Sequence, residues 1–121
     1  MTKRAFAEVT LDASPNEVSN ALVQIMWSSR IRVKSQTITE QPLTIHLYGE
    51  HSVSFRSWGE FLKITITAHN GGSKVNAESE AKVPTTLFDY GQNKENLEIL
   101  MNQLIMKFRH TSSLDIKEAV L

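Results

Sequence analysis

The sequence predicts an α+β fold, a curved antiparallel sheet of about six strands gripping a long C-terminal helix, in the order strand, helix, five strands, helix. Three observations predict it. Runs that alternate apolar and polar residues recur up to Val83, the period of strands with one buried face. Two segments, Val18 to Met26 and Leu97 to Phe108, instead space their apolar residues by three and four, as amphipathic helices do. Between two alternating runs lies Asn70-Gly71-Gly72-Ser73, a tight-turn signal that joins strands antiparallel.

Taken in order, Ala5, Ala7, Val9 and Leu11 share one side of a first strand, with Phe6, Glu8 and Thr10 on the other. Ser14-Pro15-Asn16-Glu17 follows, a hydroxyl at N-cap, a proline at the first helical position and a glutamate three residues after the cap, so a helix starts there. Val18, Ala21, Leu22, Ile25 and Met26 form its stripe, and it runs to about Trp27 or Ser28. From Ile31 alternation returns, with Ile31, Val33, Ser35 and Thr37 opposing Arg32, Lys34 and Gln36, and Pro42 ends or offsets the strand. Leu43, Ile45 and Leu47 face one way in the next strand, closed by Gly49-Glu50, and Ser52 to Trp58 is expected as another.

The clearest hairpin sets Leu62, Ile64, Ile66 and Ala68 against Val75, Ala77, Ser79, Ala81 and Val83, with a charged outer face of Lys74, Glu78, Glu80 and Lys82. Its small inward residues leave room for the final helix. Pro84 stops it, Asp89-Tyr90-Gly91-Gln92-Asn93 turns the chain, and Leu97, Leu100, Met101, Leu104, Ile105 and Phe108 make the second helical stripe. Residues 1–110 are thus expected as a single domain and 111–121 as a C-terminal tail.

Composition narrows the chemistry. A chain of 121 residues without cysteine holds one core and no disulfide, thiolate metal site or thiol nucleophile. Thirteen basic and thirteen acidic residues cancel and neither sign forms a block, so no footprint for nucleic acid or an anionic membrane is expected. No apolar run nears the roughly 18 residues of a membrane span, and the cytoplasm is the expected location. His46, His51, His69 and His110 lack metal-ligand spacing, no GxSxG elbow exposes a serine, and Gly71-Gly72 precedes a strand rather than a phosphate-binding helix. No cofactor is expected.

The opening Val9 to Val18 resembles the start of START-like and polyketide-cyclase-like domains, the helix-grip (SRPBCC-type) superfamily. Ser57-Trp58-Gly59-Glu60 and Asp89-Tyr90-Gly91-Gln92-Asn93 are similar to segments of small uncharacterised bacterial proteins of that type. The likeness runs to about Arg109, with one strand fewer than the usual seven and no clear second small helix. It implies binding of lipids, sterols or polyketides between sheet and last helix, or cyclase, dehydratase or hydrolase activity; fold alone does not choose.

Candidate ligand-binding residues are Trp58, Glu60, Tyr48, Arg56, Asp89 and Tyr90. Trp58 either floors a pocket, with Glu60 as a polar contact, or anchors a strand bend. Asp89 and Tyr90 either rim a pocket or stabilise the turn before the last helix. Arg56, on the middle strands with Tyr48 and Phe55, either grips a ligand carboxylate or lies along the outer face. Three functions are carried forward: a small-hydrophobic-ligand binder; an interaction or homodimeric module using Leu114, Ile116, Val120 and Leu121; and an enzyme with Glu60 or Asp89 as general base.

Overall fold

A computed structural model describes residues 3–51, 60–81, 92–108 and 111–120. The elements are β1 (Lys3–Leu11), α1 (Pro15–Ser28), β2 (Ile31–Thr39), β3 (Thr44–His51), β4 (Glu60–His69), β5 (Gly72–Ala81), α2 (Gln92–Lys107) and β6 (Thr111–Val120). All six strands form one antiparallel sheet, in the order β2-β3-β4-β5-β1-β6.

The element order departs from expectation at one place. Four strands lie between the helices among the described residues, and the strand expected over 52–58 falls outside them. The second helix is not C-terminal, because residues 111–120, expected as a tail, return as β6 and pair with β1, setting Leu114 opposite Val9 and Ile116 opposite Ala7. The physical reason lies in β1. Its Ala5 and Val9 are fully buried, and a strand so deep in the sheet needs hydrogen-bonding neighbours on both sides.

Both helices pack on one face of the sheet, α1 against β2, β3 and β4, and α2 against β1 and β5. Ala7 of β1 pairs with Ala77 of β5, both nearly buried, so the backbone there approaches α2 closely and its Leu97, Leu100, Met101 and Leu104 fill the space. Burying each such side chain contributes roughly 1.5–3 kcal/mol. α1 begins as the sequence directs. The Ser14 hydroxyl accepts from the Glu17 amide at 3.3 Å and donates to the Glu17 carboxylate at 3.1 Å, with Pro15 at the first turn. Val18, Ala21, Leu22, Ile25 and Met26 are buried as a stripe, joined by Ser19.

Two local features set the faces of the early strands. Between Val33 and Ser35 the β2–β3 register slips by one residue, leaving Lys34 as a bulge. Beyond it the faces exchange. Gln36, expected opposite Ile31 and Val33, lies beside inward Leu47 and donates to the Ser19 hydroxyl of α1 at 3.1 Å. Gly49 does not close β3 but sits within it, where a Cβ would come within 2.7 Å of the Met26 methyl and 3.1 Å of the Arg32 carbonyl oxygen. The β4–β5 turn is as expected, Asn70 and Gly71 both taking positive φ (48° and 80°), the pair of left-handed residues that suits the twist of a two-residue hairpin.

Candidate functional site

The inward face of β4 runs Glu60, Leu62, Ile64, Ile66. The last three belong in a core; Glu60, at the first position, does not by chemistry, yet it is only 2% exposed. Alternation alone dictates this, because a residue two before Leu62 shares its face. Beside Leu62 on β5 stands Ser79, 1% exposed.

These side chains form one wall of a hollow of about 240 Å³, whose other walls are Ile31 at the start of β2, Ser29 just past α1, and Ile99 and Leu100 of α2. Ser29 is placed there by the end of α1, where its amide donates to the carbonyls of Ile25 and Met26 and Arg30 turns the chain with φ of 62°. Leu100 is buried, whereas Ile99 is 47% exposed and stands at the edge. Among the described residues the lining is four aliphatic side chains with one carboxylate and two hydroxyls. The space exceeds the roughly 150 Å³ cavity that admits benzene, so a single ring or a short chain fits.

Of the six residues expected at a ligand site, Glu60 alone lines this hollow among the described residues. Tyr48 does not join it. It lies opposite Lys63 on the outer face of the sheet and stacks on Phe61 with ring centroids 5.9 Å apart, because even-numbered residues of β3 point away from the helices. Tyr48 and Glu60 therefore occupy opposite faces and share no pocket. Trp58, Arg56, Asp89 and Tyr90 lie outside the described residues. The lining residues Ser29, Ile31, Leu62, Ser79, Ile99 and Leu100 were not singled out as a site from sequence, since most carry the ordinary signature of core.

The outer face holds a second depression, about 350 Å³, bordered by Phe6, Glu8, Lys63, Thr65, Asn76 and Glu78. It is a solvated surface stitched by ion pairs, Lys74 to Glu8 at 2.8 Å and Arg4 to Glu78 and Glu80 at 3.4 and 3.3 Å. Such half-exposed pairs contribute about 1 kcal/mol or less each. His46 and His69 are exposed, and among the described residues no three His, Cys, Asp or Glu side chains gather as metal ligands. No helix among them is long and apolar enough to cross a membrane.

No family model matches the chain, and no curated protein matches it. Among solved structures it is similar to the crystal structure of Ara h 8.0201, at 12% identity and a TM-score of 0.50, over 87% of this chain and 97% of that one. At that identity the likeness speaks to architecture alone, and what it shows is a shared fold, an antiparallel sheet with helices on one face.

Proposed function

We propose that this protein binds a small hydrophobic ligand in the hollow between the β4–β5 end of the sheet and α2. The observation that carries the reading is the lining: Ile31, Leu62, Ile99 and Leu100 supply an aliphatic wall, and polar groups converge on it at Glu60, Ser79 and Ser29. An apolar hollow with a few converging polar groups is the usual form of a small-molecule site. The resemblance of the opening Val9 to Val18 to helix-grip domains, which implies a ligand between sheet and helix, supports the same reading. So does size, which suits a ligand smaller than a sterol.

The test is thermal. A ligand that binds only the folded chain raises its Tm in proportion to the logarithm of its concentration. Small aromatic and short-chain compounds are expected to raise it for the native chain, and Ile99→Trp, which closes the hollow from its edge, is expected to abolish the rise while leaving the chain folded. A rise that survives Ile99→Trp unchanged places the ligand elsewhere.

A second reading, a protein-interaction or homodimeric module, is favoured by one observation. Trp27 of α1 and Met106 of α2 are 82% and 80% exposed. Leu114, Ile116 and Val120, the contact residues expected for it, lie on β6, an edge strand that pairs with β1 along one side. The enzyme reading retains Glu60 as its candidate base, with no second titratable side chain described in the hollow.

A further inference from the structure

Where α1 ends, the chain keeps a residue that the turn itself does not call for. Arg30 takes φ of 62°, the left-handed conformation that glycine enters at no steric cost and that commonly carries glycine after a helix. Its amide donates to the Trp27 carbonyl oxygen at 3.2 Å, which holds it beside the last turn of α1. Trp27 is 82% exposed, against the usual tendency of so large an apolar side chain to be covered, and Arg30 and Arg32 are exposed as well. These three side chains line one depression of about 300 Å³ together with Ile31, the residue it shares with the hollow among the described residues.

The positive charge there is not consumed within the fold. Among the described residues neither guanidinium enters an ion pair or a side-chain hydrogen bond. Arg32 faces Glu50 across the β2–β3 register, and that one carboxylate against two guanidinium groups leaves the balance positive. Each group then selects one part of a ligand. A guanidinium is a rigid planar fork that grips a carboxylate or phosphate through two parallel hydrogen bonds, and two of them at one depression suit a single acid group. The exposed indole offers a flat face on which an aromatic ring stacks, and Ile31, mostly buried, gives that ring an apolar floor.

We infer that the depression at the end of α1 binds a single-ring aromatic acid, its ring on Trp27 and Ile31 and its carboxylate or phosphate between Arg30 and Arg32. A neutral ring lacks the acid group and an inorganic anion lacks the ring, so each alone is held by half of the contacts. The site is distinct from the hollow and does not depend on the hollow's being occupied.

Phenyl phosphate, benzoate, inorganic phosphate and phenol are titrated calorimetrically into the full chain at pH 7 and low ionic strength, with the indole N–H resonance of Trp27 reporting location. The tighter of the two aromatic acids is expected to exceed both phenol and inorganic phosphate by at least about tenfold, since hydrogen bonds between charged groups outweigh neutral ones and the ring adds its stacking. Which of the two is tighter names the acid group. Arg32→Gln and Arg30→Gly are each expected to weaken the aromatic acid at least about fivefold and to leave phenol within about twofold. Trp27→Ala should weaken the ring-bearing compounds and spare inorganic phosphate. Arg30→Gly should act with Tm unchanged or raised, because glycine suits the turn. A lowered Tm with affinity kept would assign Arg30 to the negative end of the α1 dipole and overturn the inference. An aromatic acid no tighter than phenol, or equally tight in both arginine variants, overturns it too. Ile99→Trp, which closes the hollow, is expected to leave these affinities unchanged; loss of the acid there would place it in the hollow instead. A Trp27 resonance that moves on dilution of the chain alone would give the indole to a second copy and likewise overturn the site.

Discussion

Ser73 shows how much a single buried hydroxyl can hold. It is fully buried at the head of β5 and donates to the Ala13 carbonyl oxygen at 2.6 Å, tying the hairpin to the link between β1 and α1. Ser73→Ala removes the donor and leaves that carbonyl without it in a buried place, a loss of about 1–3 kcal/mol. Urea unfolding should show the loss as a lower midpoint with an unchanged slope. Ser79 lies six residues along the same inward face. One closes a structural contact and the other borders the hollow, and only the surrounding elements separate the two. Glu60 was legible to the extent that strand parity places it inward with Leu62. That it meets α2 and the end of α1 was not, because those contacts join residues far apart in the chain.

Among the elements, the helices and the hairpin were written most plainly in the sequence. α1 is capped locally by Ser14 and Glu17, and its stripe needs no partner to be recognised. α2 buries Leu97, Leu100, Met101 and Leu104, with Ile105 and Phe108 packed against the same cluster. The faces of β2 were misread because a bulge leaves no mark on an alternating pattern made largely of polar residues. The bulge also yields a contrast that experiment can check. Deleting Lys34 removes the extra residue and keeps Gln36 opposite Leu47, so stability should change by no more than about 1 kcal/mol. Deleting Gln36 takes the partner from buried Ser19 and should cost about 1–3 kcal/mol. Comparing the unfolding midpoints of the two deletions checks the assignment. The tail was misread for a related reason. Thr111 to Val120 alternates only weakly, and what recruits it is the edge of β1, a feature of the assembled sheet.

At the scale of the whole molecule, β1 and β6 join the two ends of the described chain, with Lys3 opposite Val120. Truncation after His110 strips β1 of one row of hydrogen-bond partners along its length and exposes an edge that invites pairing with other chains. The truncated chain should therefore melt at a lower temperature and elute as larger species at high concentration, as calorimetry and size-exclusion chromatography can show. The order of the sheet also explains why the function was harder to read than the fold. Alternation and helical stripes fix each element by itself, but the hollow exists only where four separate stretches meet, at residues 29–31, 60–62, 79 and 99–100. That shared construction has a mechanical consequence. An occupant touching all four walls acts as a keystone: because it binds only where those walls are assembled, its binding free energy adds to the stability of the seam between the helix layer and the sheet. Retention of the guest and endurance of the fold thus become one property, governed by the same set of side chains.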